Sequence, residues 1–226
     1  MTDIKIFMAA SPVCMMVLFP AFGAPPNHAS SPCPTRSPEV PVKVRFTSAQ
    51  PSYNNLLPRS KIESMAPGRE FGTHSVGLTQ SNLHWKIVTR FRLDTSSNRQ
   101  ESCILLASIT LDYGFGPTPV FIDQRYQPGT CPYQATLSHE NAHVAILNRE
   151  GQLMQRSIEQ KLHAIAAAIP PTPTRSPQST QQRLLTKIDQ ETRPLLSALN
   201  TRLEAQHARL DDPRNLKKTQ QQCPQW

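Results

Sequence analysis

The chain has 226 residues, 38% of them hydrophobic and 6% aromatic, with a mean hydropathy of −0.44, the profile of a soluble protein of one domain, or one domain and a tail. Its 22 prolines against 8 glycines exclude collagen, the scarcity of aromatics excludes a porin-type barrel, and proline this dense implies long extended connections around a modest core. Twenty-four Lys and Arg against sixteen Asp and Glu give a net charge of +8, but with no run of five like charges and no interleaved aromatics the excess fits an anionic envelope component rather than nucleic acid.

Residues 1–23 read as a secretory signal peptide. Lys5 supplies a weakly positive start, Ile6 to Phe22 is mostly apolar, and Ala21-Phe22-Gly23 is a small-x-small cleavage site before Ala24. Pro12 and Pro20 break the apolar stretch, which is too short for a comfortable membrane span, and no other segment could cross a bilayer. The expected location is therefore periplasmic or secreted. Cleavage would remove Cys14 and leave Cys33, Cys103, Cys131 and Cys223, which predicts two disulfides with three possible connectivities. A Cys103–Cys131 bond is preferred because both residues flank the same expected core.

Residues 24–42 form a Pro/Ser-rich linker, and 43–226 a single α+β domain. Val42 to Phe46 alternates apolar and basic residues and predicts a short strand. Residues 50–80 look irregular, with turns at Pro51, Pro58 and Pro67-Gly68. Leu83 to Leu93 alternates at period two, with Trp85, Ile87, Thr89 and Phe91 on one side and Lys86, Arg90 and Arg92 on the other. Cys103 to Tyr113 follows as a second strand, so the pair predicts an antiparallel hairpin, with Val120-Phe121-Ile122 as a short third strand. From Tyr133 the apolar period lengthens to three or four residues. Leu137, Glu140, Val144, Leu147, Gly151, Met154, Ile158, Leu162 and Ile165 mark one stripe of a helix over 133–169. A second stripe, Leu184, Ile188, Leu195, Leu199, Leu203, His207 and Leu210, predicts a helix over 181–210, kinked at Pro194 and packed antiparallel to the first. The expected architecture is α+β: a small antiparallel sheet on a long helix and an antiparallel C-terminal helix.

The first helix carries His139-Glu140-Asn141-Ala142-His143, an HExxH sequence. Residues four apart share a helix face, so both imidazoles can reach one ion, and neutral imidazole nitrogen suits Zn²⁺. Glu140 projects beside that ion, placed to take a proton from a water activated there, which makes it the candidate catalytic base. A catalytic zinc needs a third protein ligand. Arg149 excludes a third His six residues past the second. A hairpin turning near residue 175 puts position 143 beside position 207, so His207 is the candidate third ligand, with Glu204 as substitute ligand or supporting partner. His163 is too far along a continuous helix and reads as solvated; His84 falls on the polar side of its strand. Tyr126 and Tyr133 could lend a phenol to an oxyanion, though ordinary packing accounts for both.

Cys131-Pro132-Tyr133 ahead of Leu137 to Val144, two preceding strands, a signal peptide and a terminal segment with Cys223 and Trp226 resemble a bacterial family of secreted zinc-dependent proteases, otherwise a domain of unknown function. The resemblance covers about residues 70–226 and is specific at HExxH. Ala142 stands where such proteins usually carry Gly, and their C-terminal His-containing motif is degenerate here at Leu203 to His207. The resemblance implies a zincin-like metallopeptidase. The exposed edge of the strand pair could hold its peptide or protein substrate by strand addition. The alternative expectation is a non-catalytic envelope protein that uses its basic surface and helical hairpin to contact a partner, with any metal structural. An open coordination position distinguishes the two.

Overall fold

In the computed structural model the described residues are 33–34, 39–66, 76–95 and 102–226. The signal peptide expected at 1–23 and most of the linker at 24–42 lie outside them. The chain divides into units Met1–Ser30 and Ser31–Trp226, and the second contains every described residue.

In chain order the elements are β1 (Val42–Thr47), β2 (Gln50–Asn54), α1 (Arg59–Met65), β3 (Gly77–Thr79), β4 (His84–Asp94), β5 (Ser102–Gly114), β6 (Pro117–Ile122), α2 (Cys131–Ala167), β7 (Thr172–Thr174), α3 (Pro177–Leu210) and α4 (Pro213–Gln220). The class is α+β, with a long helix, an antiparallel partner helix and small sheets, as the periodicities predict. The sheets are mixed rather than antiparallel. β4 and β5 form the expected antiparallel ladder, but β1 adds to β5 in parallel, giving the order β1-β5-β4, and β7 pairs with the start of β5. The strand containing Val120 to Ile122 belongs to a second sheet, β2-β6-β3.

The inner face of the central strand β5 is apolar at Ile109, Leu111 and Tyr113, with Ser108, Thr110 and Asp112 between them on the other face, as a strand buried on one side and partnered along both edges requires. Ile109, Leu111 and Tyr113 from β5 meet Val144, Leu147, Ile158 and Leu162 from α2 and Ile188, Leu196 and Leu199 from α3 in one core. In α3 the buried residue is Leu196 where the stripe predicted Leu195, and the helix runs through Pro194. Sheet and helix are also tied by polar bonds. The Tyr113 hydroxyl donates to Gly151 O at 2.7 Å, the Gln155 amide to Val44 O at 3.2 Å, and the Ala49 N–H to Asn148 Oδ1 at 2.7 Å. Gly151 permits this approach: a Cβ there would collide with the Phe46 ring.

Residues 50–66 and 76–80 are more regular than their turn signals suggest, since they contain β2, α1 and β3, while Pro67-Gly68 lies outside the described residues. Within the linker, Val40 is in the core and Pro41 O accepts from the Ile109 N–H at 3.0 Å. The disulfides are Cys33–Cys103 and Cys131–Cys223, not the expected Cys103–Cys131. Cys103 pairs across the ladder with Pro173, just past the C-terminal end of α2, whereas Cys131 opens α2. A 37-residue helix is about 55 Å long, so the two cysteines flank one core from opposite ends. Among the described residues, no helix is long and apolar enough to cross a membrane.

Candidate metal centre

Helix α2 starts on Cys131-Pro132, with proline in the first turn, where a missing N–H costs no helical bond. Two turns later come His139 and His143. Their four-residue spacing puts both rings on one face, with centroids 5.0 Å apart and planes at 85°. Asn141 points elsewhere, since its Oδ1 accepts from the Tyr53 hydroxyl of β2 at 2.8 Å.

Antiparallel packing sets what faces the motif. His143 Nδ1 lies 2.8 Å from His207 Nδ1, so the structure brings positions 143 and 207 together as the hairpin predicts. One turn further the pairing is His139 with Asp211. Asp211 Oδ1 is 3.0 Å from His139 Nε2 and 3.1 Å from His143 Nε2, and the donor atoms of these three residues all lie within 4.8 Å of one another. This group could hold a metal ion. Asp211 is the functional candidate that the sequence reading missed. It sits four residues after His207, beyond the last apolar position of the stripe, but the register that joins 143 to 207 also joins 139 to 211.

The geometry assigns the other candidates different places. His207, the expected third ligand, faces the far nitrogen of the His143 ring and is not among the three converging donors. Burial first, then the neighbouring His143, pushes the His207 imidazole down to about 4, so it is neutral at physiological pH. Glu204 is exposed and accepts from Asn200 Nδ2 at 2.6 Å. His84 and His163 are exposed. Tyr126 stacks edge-on against Trp226 at 5.7 Å, in a cavity of about 840 Å³ near the start of α2 that Arg59, Val76, Arg125 and Thr130 also line.

Glu140 is buried, and β3 forms its cradle. The Thr79 hydroxyl lies 2.8 Å from Glu140 Oε2 and 3.1 Å from its backbone O. A Cβ on Gly77 would come within 2.5 Å of Glu140 Oε1 and 2.7 Å of Thr136 Cγ2, so only glycine lets the carboxylate lie this close to the strand. Burial raises the Glu140 carboxyl above the ordinary glutamate range, against the opposing pull of His143, the Thr79 hydroxyl and His139.

The donor set, two imidazoles and a carboxylate, could hold a metal ion. A tetrahedron with bonds of about 2.0 Å has edges of about 3.3 Å; the two Asp211 separations are 3.0 and 3.1 Å, and the third lies within 4.8 Å. Asp211 is also the C-cap of α3, where the helix dipole is negative. A carboxylate there is better tolerated beside a cation. Its neighbour Asp212 does the opposite job, capping α4 by accepting from the Arg214 N–H at 2.9 Å. Compared with family models, with curated proteins and with solved structures, the chain matches none. None of these comparisons identifies the expected family of secreted zinc-dependent proteases.

Proposed function

We propose that the protein is a zinc-dependent metallohydrolase of the periplasm or the extracellular space, a peptidase, in which His139, His143 and Asp211 hold the ion and Glu140 is the base. The observation that carries this reading is the convergence of both motif imidazoles on Asp211 Oδ1, with Glu140 buried beside them. When bound, such an ion acidifies a water and polarises a carbonyl. The protein's own residues do the rest. To offer a lone pair at Nε2, His143 must carry its proton on Nδ1, and the neutral His207 Nδ1 accepts it at 2.8 Å. Thr79 and the absence of a side chain on Gly77 aim the Glu140 carboxylate. Burial keeps that carboxylate desolvated and strengthens it as a proton acceptor.

Among the described residues three donors converge, and His207, turned to the back of His143, adds no fourth; a set of three leaves a position open, which favours catalysis over a structural site. The strand beside Glu140 is β3, which pairs only with β6 among the described residues. In this reading a substrate backbone lies along the free edge of β3, not along the β4–β5 pair. The two disulfides fit an oxidising compartment.

The test is metal content and hydrolysis of a fluorogenic casein by the wild type and Glu140→Gln. The expected result is about one zinc per chain in both proteins and hydrolysis by the wild type only. A wild type that binds no zinc, or a Glu140→Gln protein that cleaves as well as the wild type, would overturn the proposal.

A further inference from the structure

Strand β4 offers a surface unrelated to the metal centre. It has 11 residues, ends the β1-β5-β4 sheet, and among the described residues pairs only with β5. Its outer edge therefore presents a row of backbone donors and acceptors. Its two faces differ in chemistry. Residues opposite one another in a ladder share a face, so the pairs Lys86–Asp112, Val88–Thr110 and Arg90–Ser108 lie on the side away from the core. The β1 register adds Lys43 and Arg45 to that side. Asp112, which ion-pairs with Arg45, is the acidic residue among these cations. On the inner face Trp85, Ile87 and Thr89 oppose Tyr113, Leu111 and Ile109. Those β5 residues are fully buried, yet Trp85 is 42% exposed and Leu93, past a bulge at Arg90/Phe91, is 47% exposed. The apolar face thus continues to the last strand and stays partly in water there.

An occupant must satisfy three features together: the open ladder edge, the basic outer row and the exposed Trp85 and Leu93 of the inner row, where Ile87 and Phe91 already pack on the core. A polyanion lying on the outer face would meet the cations but leave Trp85 and Leu93 wet. A second copy pairing β4 with β4 about Val88 would set Lys86 against Arg90, like charges directly opposite, which disfavours the pair. An extended segment with alternating acidic and apolar side chains satisfies all three. Its backbone completes the ladder, its carboxylates face Lys86 and Arg90, and its apolar side chains cover Trp85 and Leu93. We propose that β4 is a docking edge for such a segment of a partner protein, bound by strand addition.

The experiment uses the purified chain and a labelled synthetic peptide of about nine residues alternating Glu and Val, read by fluorescence anisotropy and by hydrogen exchange of the β4 amides. Saturable binding with slowed exchange in β4 is expected. The exposed double change Lys86→Glu/Arg90→Glu should weaken binding by about tenfold or more, and a peptide with Lys in place of Glu should restore it. That restoration also shows that the variant is folded. No saturable binding, binding without slower β4 exchange, equal binding of plain polyglutamate, or an unaffected double variant would each overturn the proposal.

Discussion

His143 uses its two ring nitrogens for different tasks. Nε2 faces Asp211 at 3.1 Å and Nδ1 faces His207 at 2.8 Å. Removing either neighbour should therefore weaken metal binding by different amounts. Asp211→Ala deletes a donor from the group. His207→Ala leaves all three donors in place and frees only the orientation and tautomer of His143, a loss of about 10–100-fold in affinity. Competition for zinc against a chromophoric chelator should rank Asp211→Ala as the weaker binder. Equal affinities for His207→Ala and the wild type would contradict the orienting role. Thr79 acts one step further out. Thr79→Val removes the hydroxyl beside Glu140 Oε2 while keeping the shape, so zinc content should hold while hydrolysis falls by about tenfold, the scale of one charge-assisted hydrogen bond. A Thr79→Val protein as active as the wild type would remove Thr79 from the account.

At the scale of elements, His139, His143 and Asp211 come together because α2 and α3 keep one antiparallel register over several turns. Glu150 marks it two turns beyond His143, accepting from Arg202 Nη2 at 2.8 Å across the helix pair and from Arg149 Nε at 3.1 Å. Burial alone would raise the Glu150 carboxyl, but the bonds and charges of Arg202 and Arg149 outweigh it and hold the group below the ordinary glutamate range. A carboxyl whose pKa is lower in the folded state stabilises the fold above its unfolded pKa and loses that contribution as pH falls through the folded value. Denaturant titrations should therefore show wild-type stability declining below about pH 4, with a shallower decline for Glu150→Gln over that window. Identical pH profiles would exclude the pair as a contributor. The two helices and the β4–β5 ladder were legible because each repeats its apolar period many times, and the hairpin register followed from placing its turn near residue 175. β2, α1 and β3 were not, since Gly77-Leu78-Thr79 is too short to show a period and Pro51 reads as a turn. Hence the cradle of Glu140 was invisible while Glu140 itself was conspicuous. Asp211 escaped for a related reason: it caps α3, past the point where the stripe carries information.

At the scale of the whole molecule, the disulfides fasten the two ends of the helical layer. Cys33–Cys103 holds the segment before β1 to the sheet near the far end of α2, and Cys131–Cys223 joins the start of α2 to the chain beyond α4. The second bond closes the side of the hairpin that carries His139 and Asp211. Replacing it in a Cys131→Ser/Cys223→Ser variant should lower stability by about 2–4 kcal/mol and weaken zinc binding, because Asp211 lies on the segment so released. Chemical denaturation with and without zinc checks both effects. A variant with wild-type zinc affinity would show that helix packing alone positions Asp211. The most direct measurement of the central claim is anomalous diffraction at the zinc edge from crystals of the protein grown with zinc. The account predicts a peak bonded to His139 Nε2, His143 Nε2 and an Asp211 carboxylate oxygen, with His207 outside bonding range. A peak ligated by His207 in place of Asp211, or no peak at this group, would contradict it.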